Sequence, residues 1–238
     1  MIGTLINVAA IIIGGLLGIL LGSRLQERVR STVMAGLGLF TLAYALQQFF
    51  GTTNALVVLG ALIAGALLGE WWQIENGLAR LGRWLEIRLG VQNDEPLELQ
   101  NGQKSRFVRG FLTASLLFCI GPMAILGSIQ DGLTGDSSTL IIKAVLDGFA
   151  SLAFASTLGV GVLFSSLIIL VYQGAISLLA VQVQSFFTPI MMSEMSATGG
   201  VILMAVAINS LLEIKQIRAG NFLPALIIAP ILAMIFLQ

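Results

Sequence analysis

Lys143 and Asp147 stand out for their chemistry: a base and an acid four positions apart in the run Thr139–Phe187, which has few strong polar breaks. On a helix this spacing puts both on one face, where they can pair. A charge at the centre of a bilayer is costly, so ionisable residues there face protein or water and mark a route for ions, protons or polar solutes. With the helix starting near Thr139, Asp147 lies close to the midplane and Lys143 about 6 Å nearer one surface. The competing reading is a buried ion pair that only fixes helix packing.

Three further features reach a similar depth. Gly121-Pro122 removes a backbone donor in the middle of an apolar run and should kink or break its helix. Carbonyls freed there suit a cation and a new helix start suits an anion, while a plain packing kink is the simpler alternative. Gln173, between Tyr172 and Gly174, sits near the middle of another run, where a glutamine either bonds across helices or contacts a solute. Asn7 and Asn209 lie nearer the ends of their runs and would line an entrance or cap a neighbour. The candidate binding residues are therefore Asp147, Lys143, Gln173, Gly121 and Pro122.

No catalytic set accompanies them. The chain has no histidine, which removes imidazole ligation, the usual proton switch and any His-dependent triad. Walker A and His-Glu-x-x-His motifs are missing, and the single Cys119 cannot form an intramolecular disulfide. The residues assign no enzyme activity, no cofactor and no metal of defined type. Twelve basic and twelve acidic residues cancel, leaving no general attraction to nucleic acid.

Composition says what must position these residues. Of 238 residues, 57% are hydrophobic and 10% charged, and the mean hydropathy is +0.97. A water-soluble domain needs more charge than this to cover its surface. The expected fold is an all-α, polytopic transmembrane bundle of about eight spans. Runs at residues 2–22, 31–50 and 55–69 give three spans, the first without the basic start and cleavage site of a signal peptide. From Glu70 to Gly90, Trp71, Ile74, Leu78, Leu81 and Leu85 recur at helical spacing among charges. That pattern predicts an amphipathic helix lying along the membrane surface, or packed on the bundle as a connector. Residues 91–105 read as a polar linker. Spans follow at 107–129, at 139–187 as two divided near Ser156–Gly161, at 197–212 and at 222–238, with Asp131 and Glu194 in loops. The expected divisions are 1–69, 70–105, 106–187 and 188–238.

Eleven of the twelve basic residues then fall on one side, Lys143 being the exception. The positive-inside rule makes that side cytoplasmic and puts both termini outside. A shift of 112 residues sets Val33 on Val145, Gly36 on Gly148 and Ala43 on Ala155, a weak match between spans one to three and spans four to six. Three spans per unit would make the second copy inverted, a common plan for transporters with a midplane site.

The segments Cys119-Ile-Gly-Pro-Met-Ala-Ile-Leu-Gly-Ser-Ile-Gln-Asp-Gly132, Lys143-Ala-Val-Leu-Asp-Gly-Phe-Ala-Ser151, Tyr172-Gln-Gly174 and Gly220-Asn-Phe-Leu-Pro224 resemble the bacterial membrane family called domain of unknown function 554 (YdfK/YqgA-like). The resemblance covers essentially the whole chain, includes Lys143 and Asp147, and implies a bacterial inner-membrane location. No established activity comes with it. Asp147-Gly-Phe-Ala also weakly resembles an element of manganese exporters built from inverted three-helix repeats, whose further intramembrane carboxylates this chain lacks.

The expected function is a small inner-membrane transporter or channel for an ion or small polar solute, with its site around Asp147. A homodimer would double the polar groups of a site at its interface. The alternative is a non-transporting scaffold, sensor or accessory subunit that docks a cytoplasmic partner through the surface helix and linker.

Overall fold

The computed structural model describes residues 1–22, 26–90, 105–184 and 188–237, and every regular element among them is helical. The first half holds α1 (Ile2–Gly22), α2 (Glu27–Phe49), α3 (Ala55–Trp72) and α4 (Ile74–Arg88). The second half holds α5 (Arg106–Cys119), α6 (Pro122–Thr134), α7 (Ser138–Leu158), α8 (Gly161–Leu178), the short α9 (Ala180–Gln184), α10 (Pro189–Val206) and α11 (Ala225–Phe236). A π-helical turn, Ala207–Leu211, extends α10, and a 3-10 turn, Ala219–Phe222, precedes α11. Seven stretches are long and apolar enough to cross a bilayer, and α5 with α6 forms a bent pair of the same character.

Contacts at its two ends show that the bent pair runs from one end of the bundle to the other. At the start of α5, the Arg106 guanidinium donates to the Thr157 carbonyl near the C-terminus of α7, with Nε at 2.9 Å. That is a favourable place for a cation, because the last carbonyls of a helix lack intrahelical partners. Along α6, the Ser177 hydroxyl of α8 donates to the Ser128 carbonyl midway at 2.9 Å, and the Met1 ammonium lies 3.0 Å from Asp131 in the last turn. Those partners belong to the opposite face. The pair bends by 63° at a break formed by extended Ile120 and by Gly121. Gly121 has φ 142° and ψ 148°, a conformation open essentially to glycine alone. Pro122 opens α6, where its missing N–H costs nothing, but it leaves the Phe118 carbonyl without its usual donor four residues on.

α1 and α7 form the longest seam, and they run parallel. Gly3 meets Leu140, Gly14 meets Gly148 and Gly22 meets Ser156. A Cβ at Gly14 would stand 2.1 Å from the Gly148 carbonyl oxygen, and one at Gly18 2.3 Å from that of Leu152. Only glycine permits this approach, the usual device by which membrane helices pack without a hydrophobic drive. A Cβ at Gly36, which the 112-residue shift pairs with Gly148, would meet nothing within 4 Å, so the two glycines sit in unlike surroundings.

The described basic residues other than Lys143 collect on one face, with α4, the start of α5 and the 212–218 turn. Met1, the turn at residues 51–54 and Leu237, packed against Val57 and Met191, lie on the opposite face. Residues 1 and 237 therefore lie at the same end of the bundle.

Several sequence-based boundaries shift. Trp71 and Trp72 close α3 and are not part of the surface helix, because Gln73 adopts a left-handed conformation (φ 49°) that ends one helix and starts the next. α4 also buries a strip beside the expected apolar stripe, of which Leu78 and Leu85 still pack against the bundle. Glu75, Ala79, Gly82 and Glu86 face the bundle, while Leu81, Trp84 and Ile87 are exposed, as suits a helix with lipid outside it. The two acids are tolerated because Glu75 accepts from the Gly220 N–H at 2.9 Å and Glu86 from the Ser105 hydroxyl at 3.0 Å. Asn221 in turn accepts the Glu75 N–H at 2.8 Å, capping α4 from a distant turn. Asp131 lies within α6 and Glu194 within α10, not in loops: the Met1 ammonium faces Asp131, hydrogen bonds from the 52–54 turn satisfy Glu194, and the helices continue past both. The span expected at 107–129 is two helices, that expected at 197–212 begins at Pro189, and that expected at 222–238 begins as a 3-10 turn at Ala219. The linker at residues 91–104 lies outside the described residues, as do Arg24 and Phe187; Pro122 is described in its backbone only.

Candidate functional site

Three helices bring four polar side chains together at mid-depth. Lys143 and Asp147 form an ion pair on α7, between Lys143 Nζ and Asp147 Oδ2. From α1, Asn7 Nδ2 donates to Asp147 Oδ2 at 3.0 Å and to Gln173 Oε1 of α8 at 3.3 Å. Asn7 and Gln173 are fully buried, and Lys143 and Asp147 keep only 6% and 7% of their surface. Asp147 lies about 14 Å along α7 from Ser138 and about 16 Å from Leu158, taking about 1.5 Å per residue. The opposite side of α7 carries Val145, Leu146 and Phe149, all exposed and apolar. The pair therefore points into protein, as an intramembrane charge must.

The local reasons are legible. The glycine seam lets α1 approach α7 closely enough for the short Asn7 side chain to reach the carboxylate. The i, i+4 spacing then places the Lys143 ammonium on the same oxygen. Within this arrangement two buried polar atoms, Asn7 Oδ1 and Gln173 Nε2, have no hydrogen-bond partner, and neither does Thr4 Oγ1 one turn earlier on α1. Buried amide groups are nearly always paired, so an unpaired acceptor and an unpaired donor on two bonded side chains need an explanation such as water or a bound solute. The site thus offers a neutral ion pair flanked by one free acceptor and one free donor. Among the described residues no group of three or more Cys, Asp or Glu is placed to hold a metal.

The structure unites Asp147, Lys143 and Gln173 of the sequence-based set. It adds Asn7, which lies 140 positions from Asp147 and carries no local signal of that role. Gly121 is not hydrogen-bonded to the cluster, but the break it creates is near: the Cys119 thiol, on the last residue of α5, lies within electrostatic range of both Lys143 and Asp147. The Tyr44 hydroxyl of α2 is similarly within range of Asp147. Asn209 falls elsewhere, on a cavity at the basic face.

A second buried carboxylate escaped the sequence reading. Glu194, wholly buried in the second turn of α10, accepts from the Thr52 hydroxyl at 2.6 Å, the Thr53 N–H and hydroxyl at 2.7 Å each, and the Asn54 N–H at 3.2 Å. These donors belong to the turn that leads into α3, so the carboxylate ties the α2–α3 turn to α10. Every contact there is internal, which marks a structural lock.

Comparison with known proteins places the chain. It is 32% identical over 231 residues to the Uncharacterized protein YqgA of Escherichia coli (strain K12), covering 96% of this chain and 94% of that one. It is 30% identical over 235 residues to the Uncharacterized membrane protein YdfK of Bacillus subtilis (strain 168), covering 97% and 95%. No solved structure matches it significantly. Residues 2–234 match the family model described as Protein of unknown function (DUF554), and the chain, a helical multi-pass membrane protein, belongs to that family.

Proposed function

We propose that the protein is a transporter or channel for an ion or small polar solute, with Asn7, Lys143, Asp147 and Gln173 as its intramembrane site. The observation that carries this reading is the pair of unpartnered amide atoms, Asn7 Oδ1 and Gln173 Nε2, beside a buried ion pair. A pair that served packing alone would gain nothing from two further unsatisfied polar groups, each costing about 1–3 kcal/mol when buried. The α5–α6 break supplies the other element such proteins use, a discontinuous helix close to the site.

In this reading the basic face is cytoplasmic, the membrane is the bacterial inner membrane and both termini lie outside. No catalytic step or cofactor is assigned, and lipid and solute are the partners. The test is flux in proteoliposomes, screened with potassium chloride, phosphate and glycine. Folded Asp147→Asn and Lys143→Met variants should each lose at least tenfold in rate for whichever probe the wild type moves. Wild-type rates in both would remove the site.

A further inference from the structure

A cavity of about 630 Å³ opens at the basic face, apart from the Asp147 cluster. Its wall runs from the exposed 213–218 turn down to Leu112 and Leu116 of α5, with Arg109, Asn209 and Ser210 between. Three features of this wall are unusual. Arg109 Nε is buried and has no hydrogen-bond partner, although the guanidinium is built to donate from several N–H groups at once. Its Nη1 is held at 2.5 Å by Glu213, an exposed residue in the left-handed conformation (φ 53°) that non-glycine residues adopt at a cost. Asn209 and Ser210 belong to the π-helical turn, a distortion that recurs at functional sites.

The Arg109 guanidinium gives only Nη1 to the Glu213 carboxylate and keeps an N–H without a partner at Nε, so it has donor capacity left for an oxyanion. We propose that this cavity binds a small oxyanion, a carboxylate or phosphate group, through Arg109, and that Glu213 is an internal competitor that occupies the guanidinium in this conformation. Lys215, on the same wall, adds positive charge. Glu213 suits the competitor's role because it is 59% exposed on its side chain and sits on a turn, so it can leave Arg109 without disturbing the core. The phosphate can come from a soluble anion or from a phospholipid headgroup, since the cavity mouth lies on the membrane's basic face.

The test is thermal unfolding of the whole protein in phosphatidylcholine nanodiscs, titrated with inorganic phosphate against chloride at equal ionic strength, with a parallel set of discs containing phosphatidylglycerol. Phosphate should raise the melting temperature in a saturable way. Glu213→Gln should lower the half-saturating phosphate concentration at least threefold, because the competitor is gone. Arg109→Gln should abolish the response, and Arg109→Lys, which keeps the charge without the fork, should weaken it. Stabilisation by phosphatidylglycerol but not by phosphate, again lost in Arg109→Gln, identifies the headgroup as the source and upholds the site. No response to either anion, or an unchanged affinity in Glu213→Gln, overturns the proposal, and the second result stands even where Arg109 variants do not fold. Asp147→Asn should respond as wild type does, so failure here is distinct from failure of the transport reading.

Discussion

Asn7 reaches across the parallel α1–α7 seam to donate to Asp147 at 3.0 Å, a bond between residues 140 positions apart. It ties the N-terminal helix to the buried ion pair, and through Gln173 it also holds α8 to the same point.

Replacing Asn7 by Leu removes both bonds while filling similar space. The carboxylate keeps Lys143 but loses its second donor, and Gln173 loses its acceptor's partner. Truncating one side of a buried hydrogen bond to a charged group costs about 1–3 kcal/mol. The melting temperature should fall by several degrees, and flux should fall with it. A variant as stable as wild type would show that the seam alone holds the helices.

The ion pair itself can be divided by a double-variant cycle. Lys143→Met leaves a buried carboxylate unbalanced, a situation that costs about 3–5 kcal/mol. Adding Asp147→Leu removes the orphaned charge, so the double variant should recover most of that loss. Recovered stability together with lost flux would assign the pair to function. A double variant no more stable than either single would mean that the surroundings need the charges for folding.

The glycine seam makes a sharper prediction. Gly14→Ala would force its Cβ onto the Gly148 carbonyl oxygen, and nothing flexible is there to give way. Overpacking of this kind typically costs about 1–3 kcal/mol. Gly36→Ala, in open space on α2, should leave the melting temperature unchanged. Equal behaviour of the two would remove the seam as the basis of the α1–α7 contact.

How much of this was legible beforehand follows from the kind of signal each feature leaves. Span number and the helix break are properties of single runs, so apolar length and Gly121-Pro122 reveal them. Lys143 and Asp147 stand out because a charge within an apolar run is conspicuous alone. Asn7 is neutral and common near helix ends, and only the tertiary approach of α1 gives it a role. Glu194 interrupts a run and reads as a loop, because donors 140 residues away that allow its burial leave no local trace. α4 misleads for a related reason: Glu75 pairs with the 220–221 turn and Glu86 with Ser105, so both acids go inside, while lipid accepts Leu81, Trp84 and Ile87. In a membrane, an apolar stripe does not say whether it faces protein or solvent.

Outside the spans, Asp136 offers a pH test. The N–H and hydroxyl of Ser138 hold its carboxyl below the usual carboxylate range, with Gln130 adding a further bond at 2.6 Å. A carboxyl whose value is lowered by folding contributes stability above its unfolded value of about 3.9, and that contribution disappears as pH falls through the lowered folded value. Asp136→Asn should therefore melt slightly below wild type at neutral pH, because it weakens the turn that starts α7. The gap should close on acidification, below the ordinary carboxylate range, as wild-type Asp136 takes up its proton. Asp136 is fully exposed and follows the bulk pH, whereas the cost of Lys143→Met, buried from the ions, should not change with added salt. Melting curves of both variants across salt and pH separate a solvated turn from a charge sealed inside the bundle. A salt-sensitive Lys143→Met would mean that bulk ions reach the cluster, which is the behaviour of an open pathway and not of a closed one.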